Sequence, residues 1–202
     1  MRIVLASNNP HKLTELQALL APLGHALVTQ GELGIGEADE PHDTFVENAL
    51  AKARHAARAS GLPAIADDSG ICVDALGGAP GVVSARYAAL AGRGSGDAAN
   101  NVLLLERLRG IGDRRAHYCC VLVAMRGPQD PQPLVAEGRW HGEVALAPRG
   151  AHGFGYDPLF FLPQQGCTAA ELEPPQKNAI SHRAIAMRML MQLLQQHWRD
   201  AR

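Results

Sequence analysis

Ser7-Asn8-Asn9-Pro10-His11-Lys12 puts a hydroxyl, two carboxamides, a histidine and a lysine into one short stretch. Ahead of a helix, such a turn offers side-chain donors, a cation and exposed backbone N–H groups to a single anion, which suits a phosphate chain. The segment is neither G-x-x-x-x-G-K-[ST] nor G-x-G-x-x-G, which excludes a P-loop and a dinucleotide fingerprint. A polar strand-to-helix turn with a surface lysine fits the same residues. Further along, Asp67-Asp68-Ser69-Gly70 directly follows an apolar run. Carboxylates at a strand end can hold a hard divalent cation with waters and phosphate oxygens, or one can take a proton from an attacking water. Because strand side chains alternate, one of the two faces a given site; a turn closed by glycine is the structural alternative. Glu37, Asp39, Glu40 and Asp43 form an acidic patch. Such a patch is a solvated face or a complement to a helix dipole, unless one carboxylate folds across to share a metal with Asp68.

Two later clusters have a different character. Gly153-Phe154-Gly155-Tyr156-Asp157-Pro158 sets two aromatics between glycines beside an acid. Glycine permits close backbone approach, and an exposed ring can stack on a base for about 1–3 kcal/mol. Anchoring of the following Leu159-Phe160-Phe161 in a core explains Phe160 and Phe161 better than Phe154 and Tyr156. Lys177-Asn178-Ala179-Ile180-Ser181-His182-Arg183 gathers basic and titratable groups around a helix start, where cations oppose the dipole unless an anion lies nearby. Cys119 and Cys120 have His117 as their only basic neighbour, so a catalytic thiolate there is disfavoured.

These residues need a frame. Residues 2–6 read as a strand buried on both faces, and Leu13, Leu16, Leu20 and Leu23 mark one face of a helix that ends at Gly24. Thr44 and Glu47 form a capping box ahead of an alanine-rich helix that runs to Ser60-Gly61, with Asn48, Lys52 and His55 on one face. Residues 62–66 predict a short strand ending at the aspartates, which 71–73 can continue, and Gly77-Gly78-Ala79-Pro80-Gly81 predicts a tight loop. A helix is expected over 97–108, and strands over 116–125 and 134–140 as an antiparallel hairpin. A weaker strand over 142–146 and a last helix from Ser181 complete the set. Early strand–helix alternation followed by a run of strands predicts an α/β (mixed α+β) fold, a mixed sheet flanked by helices; no composition break marks a boundary.

Composition sets the outer limits. The chain has 202 residues, 47% of them hydrophobic and 19% charged, enough for one large domain or two small lobes sharing a core. Lys and Arg total 19 against 20 Asp and Glu, so no global field favours a nucleic acid. No apolar run approaches the roughly 20 residues of a membrane span, and the N-terminus lacks a signal-peptide core. Cys72, Cys119, Cys120 and Cys167 have no C-x-x-C spacing, which points to reduced thiols and a cytoplasmic location.

Taken together, the segments 7–12, 44–49, 66–70, 76–81, 84–87, 153–158 and 177–183 closely resemble the non-canonical purine nucleoside triphosphate pyrophosphatases, the inosine/xanthosine triphosphate pyrophosphatase family. They occur in the family's order, with one departure: Asn8-Asn9 stands where many relatives carry glycine then asparagine. The resemblance implies a single two-lobed domain over 1–202, with a long mixed sheet flanked by helices and a central cleft. It implies a homodimeric, Mg²⁺-dependent hydrolase that converts ITP, dITP and XTP to the monophosphate and pyrophosphate, with no nucleic-acid or membrane partner. By the same resemblance Asp68 would be the proton acceptor and a metal ligand, and Glu40 a second ligand. Ser69 would contact substrate, and Ser7, Asn8, Asn9, Pro10, His11, Lys12, Lys52 and Lys177 would embrace the triphosphate. Phe154, Gly155, Tyr156, Asp157, His182 and Arg183 would line the base pocket. Two other readings compete: a pyrophosphatase for modified pyrimidine triphosphates and a non-catalytic nucleotide sensor.

Overall fold

The computed structural model describes residues 1–8, 13, 16, 17, 20 and 24–198. The strands are β1 (Arg2–Leu5), β2 (Ala26–Thr29), β3 (Ala64–Val73), β4 (Arg115–Met125), β5 (Leu134–Val144), β6 (Phe160–Leu162) and β7 (Cys167–Thr168). They form one seven-stranded sheet in the order β2-β1-β3-β4-β5-β6-β7. β1 pairs in parallel with β2 (Arg2 opposite Ala26) and with β3 (Val4 opposite Ala64), whereas β6 is antiparallel to β5 and β7, so the sheet is mixed. Parallel neighbours need a crossover, and Leu13, Leu16, Gln17 and Leu20 between β1 and β2 are helical, with Leu16 and Leu20 buried. Leu23, expected on the same face, lies outside the described residues.

The chain forms two compact units. The first comprises Met1–Asp68, Cys120–Gly138 and Ile185–Arg202; the second comprises Ser69–Cys119 and Arg139–Ala184. Ile3, Leu5, Ile65, Leu122, Leu190 and Leu194 are among the core of the first, and Ile71, Leu104, Tyr118, Trp140, Leu159 and Phe160 among that of the second. Each is a single contiguous apolar cluster.

Helix α1 (Phe45–Ser60) follows its sequence signals closely. Thr44 Oγ1 accepts from Glu47 N at 3.3 Å, Gly61 closes the helix with φ +68°, and Ala49, Ala53, Ala56 and Ala57 are buried. The short α2 (Tyr87–Leu90) is followed by α3 (Asp97–Arg107), α4 (Pro174–Ile180) and α5 (His182–His197). α3 stops one residue short of the expected end, with Leu108 as its C-cap, and Ser181 precedes α5, accepting from Ala184 N.

Three expectations change. β3 does not break at Asp67-Asp68-Ser69-Gly70 but continues through them to Val73, because both aspartates are buried with the strand and not displayed on a turn. The expected strands over 134–140 and 142–146 are one strand, β5, that ends at Val144. Gly142 keeps it continuous: a Cβ there would lie 2.5 Å from Phe161 O and 2.8 Å from Phe160 Cζ, so only glycine admits β6 alongside. Finally, α4 was not expected. Its paired prolines stand in the first turn, where proline's missing N–H is not needed, and Glu173 and Gln176 form a capping box around them.

Candidate functional site

The candidate residues gather in two places, one in each unit. In the first unit, one face of α1 organises the acidic patch. Asn48, almost fully buried, accepts from His42 N and donates to His42 O, both at 3.0 Å. One turn on, Lys52 Nζ donates to Glu40 Oε1 at 3.0 Å and to Asp68 Oδ1 at 2.9 Å. A further turn on, His55 Nε2 lies 3.0 Å from Gly36 O. The shared face expected from sequence thus ties residues 36, 40 and 42 to the helix, and brings Glu40 and Asp68 to the same ammonium.

A cavity of about 380 Å³ opens here, bordered by Ser7, Asn8, Gln30, Glu37, Glu40, Lys52 and Asp67. Burial would draw the Lys52 pKa down, but the charge and hydrogen bond of Asp68, the hydrogen bond of Glu40 and the charge of Asp67 outweigh it, so it stands above its ordinary value. Burial pushes the Asp68 carboxyl up; Lys52 pulls it down, Glu40 and Asp67 push it up again, and it ends above the usual carboxylate range. A carboxylate so placed is a stronger proton acceptor than a free one. Asp68 Oδ2 is buried and has no hydrogen-bond partner among the described residues, an acceptor that a bound ligand can satisfy. No group of three or more His, Cys, Asp or Glu is placed to hold a metal among the described residues. The carboxylates joined through Lys52 are Glu40 and Asp68, and one or two carboxylates completed by water and phosphate oxygens is how Mg²⁺ is usually held.

In the second unit, a smaller cavity of about 130 Å³ is bordered by Ser69, Phe154, Tyr156, Lys177, His182 and Arg183, together with Gly155 and Asp157. Asp157 Oδ2 accepts from Phe154 N at 2.9 Å and from Lys177 Nζ. Lys177 Nζ in turn lies 5.0 Å from the centre of the half-exposed Phe154 ring, a cation–π contact. Tyr156 points the other way: it is buried and its hydroxyl donates to Ser84 O at 2.8 Å. The buried His182 ring stacks on Tyr118 with centroids 4.7 Å apart and planes 9° from parallel. The Tyr118 phenol is held well above its ordinary pKa by burial and then by the charge of Asp157, so it stays neutral.

Of the expected contacts, Ser7, Asn8, Glu40 and Lys52 meet in the first cavity with Asp68 bound through Lys52, and Ser69, Phe154, Gly155, Tyr156, Asp157, His182 and Arg183 meet in the second. Lys177, expected with the phosphate-binding residues, borders the second cavity beside the aromatic loop. Asn9, Pro10, His11 and Lys12 lie outside the described residues. Sequence reasoning missed Gln30 and Gly31: a Cβ on Gly31 would lie 2.6 Å from Asn8 Oδ1, so the glycine makes room for that carboxamide, and no motif marks it. It also missed Asp97, Asn100 and Tyr118 beside the second cavity.

Residues 3–193 match the Ham1 family. The chain is 67% identical over 190 residues to a protein of Burkholderia pseudomallei named dITP/XTP pyrophosphatase, covering 94% of this chain and 91% of the relative. It is 67% identical over 193 residues to the dITP/XTP pyrophosphatase of Ralstonia nicotianae, covering 96% of each. Among solved structures, that of a HAM1 protein from Coxiella burnetii superposes with a TM-score of 0.92 at 48% identity, covering 97% of this chain and 99% of that one.

Proposed function

The chain belongs to the Ham1 family, and we propose that it hydrolyses non-canonical purine nucleoside triphosphates (ITP, dITP and XTP) to the monophosphate and pyrophosphate, as one catalytic domain over 1–202. What carries the reading is identity of 67% across 94% of the chain to a relative named for dITP and XTP.

The first-unit residues supply the phosphate chemistry. Glu40 and Asp68 would hold Mg²⁺; the buried Asp68 Oδ2, without a partner among the described residues, supports that fit. Bound there, the ion would neutralise the phosphate oxygens and the charge developing on the pyrophosphate. Asp68 takes the proton of the water that attacks the α-phosphorus, and its raised pKa supports that role. Lys52, fully charged, and the donors of Ser7, Asn8, Asn9, His11 and Lys12 fix the triphosphate and favour the leaving group's growing charge.

Base selection falls to the second unit. Phe154 offers a ring face, and Lys177 and Arg183 offer cationic donors that suit the six-keto oxygen of inosine and xanthosine. His182, packed on Tyr118, lines the same pocket, Ser69 meets the substrate, and Asp157 holds Lys177 in place. Adenine carries an amino donor at that position, and a site built around a substrate hydrogen bond can reject such an analogue by roughly 10⁴–10⁵. The same reading includes a homodimer, tested by sedimentation, and a cytoplasmic location. In support of the latter, Cys72, Cys119, Cys120 and Cys167 are all thiols, and no described helix is long and apolar enough to cross a membrane.

The test is pyrophosphate release from dITP, XTP, dATP, dGTP and a modified pyrimidine triphosphate, with and without Mg²⁺. The reading predicts turnover of dITP and XTP well above the others and dependent on Mg²⁺. A flat profile, a pyrimidine preference, or binding without turnover would overturn it.

A further inference from the structure

The second cavity owes its shape to a loop, and much of what holds that loop is contributed by α3. Asp97, the first residue of α3, accepts from Gly155 N through Oδ2 at 2.6 Å. Four residues later on the same helix face, Asn101 Nδ2 donates to Gly155 O at 2.9 Å. One residue thus has both its backbone polar groups held by a helix more than fifty positions earlier in the chain. That residue has φ +64°, a backbone conformation that glycine adopts without steric cost. Tyr156 runs into the core to Ser84 O, and the Phe154 ring is left half-exposed beneath Lys177. Asn100, between the clamping residues, accepts from Ala88 N at 2.8 Å and donates to Ala85 O at 3.1 Å, so the same helix turn also fixes a second wall of the cavity.

The carboxylate suits its task. It stands at a helix N-terminus, where the dipole favours an anion, and a charge-assisted bond to a backbone N–H is stronger than a neutral one. From this geometry we infer that Asp97 and Asn101 are positioning residues that set purine discrimination by fixing the Gly155 peptide and, through it, the Phe154 ring. The inference rests on the purine triphosphate reading above. Neither residue belongs to the segments whose chemistry was legible in sequence.

The experiment measures kcat and KM for dITP and dGTP in the wild type, Asp97→Ala, Asp97→Asn and Asn101→Ala, together with hydrogen exchange at the Gly155 amide. Asp97→Ala should raise KM for dITP about tenfold, and the dITP-to-dGTP ratio of kcat/KM should fall by a similar factor. Its kcat should stay within about twofold of wild type, since the bond is made in ground and transition states alike. Asp97→Asn, which keeps an acceptor, should restore most of the ratio, and the Gly155 amide should exchange faster in Asp97→Ala than in Asp97→Asn. If Asp97→Ala fails to fold, Asn101→Ala carries the test, with a ratio shift of about threefold. Unchanged ratio and unchanged Gly155 protection would overturn the inference, as would a uniform loss across both substrates with the ratio intact. If the wild type turns over neither nucleotide, the functional reading fails instead, and the exchange measurement still decides whether the clamp exists.

Discussion

The two cavities are built by opposite means. In the first unit, the charged groups stand on regular elements: Asp68 on β3 and Lys52 on α1, with Glu40 drawn in from a loop that Asn48 ties down. Its charged groups are gathered around Lys52. In the second unit the shape is carried by a loop with positive φ at Gly153 and Gly155, and its backbone is held by side chains from elsewhere, Asp97, Asn101 and Asp157. Proton transfer and charge neutralisation tolerate little displacement of the charged atoms, so rigid elements suit them. Recognition of a flat base needs a surface that closes around it, which a loop provides when its backbone is fixed.

Substitutions can separate these strategies. The largest effect should come from Asp68→Asn, which removes the proton acceptor but keeps the shape. Turnover should fall by about 10²–10⁴ while nucleotide affinity, measured by calorimetry, stays close to wild type. Equal turnover would remove Asp68 from the chemistry. Next is Gly153→Ala. Its φ of +76° disfavours a side chain, and a Cβ there would run into the Asp157 carboxylate and come within 3.1 Å of Lys177 Nζ. Strain of about 1–2 kcal/mol at this point should lower kcat/KM for dITP by roughly tenfold, mostly through KM, which steady-state kinetics would show.

Asn48→Ala should act more through stability. It leaves the His42 backbone groups without their buried partner, at a cost of about 1–3 kcal/mol, and a denaturant titration should register the loss. The smallest effect belongs to Arg93→Ala, which breaks an exposed ion pair with Glu106 worth at most about 1 kcal/mol; activity should not change. A large loss of activity in that variant would mean that the second unit is less tolerant of surface change than its packing indicates.

The same contrast governs how much could be read from sequence. The Asn48-Lys52-His55 face follows from helical spacing alone, and the structure uses all three against the acidic loop. β3 was half legible: its apolar start announces a strand, but polar Asp67-Asp68-Ser69-Gly70 imitate a turn, and only burial of those side chains keeps the strand going. Alternation predicts that one of the two aspartates faces a given site, and Asp67 borders the first cavity while Asp68 bonds Lys52. The aromatic loop was visible from composition, since Phe and Tyr are scarce elsewhere. Its supports were not, because nothing in the local sequence marks Asp97 or Asn101 of that helix, and their partner lies more than fifty positions away. The resemblance places Lys177 with the phosphate contacts, and what the residues alone do not show is its local setting: Glu173 and Gln176 cap a short helix that sets Lys177 against Phe154 and Asp157.

The central claim is that water, activated at Asp68, attacks the α-phosphorus of a deaminated purine triphosphate. Hydrolysis of dITP with Mg²⁺ in ¹⁸O-labelled water, with the products resolved by mass, tests it directly. The account predicts dIMP carrying the label together with unlabelled pyrophosphate. Label in the pyrophosphate, or release of dIDP and orthophosphate, would contradict it.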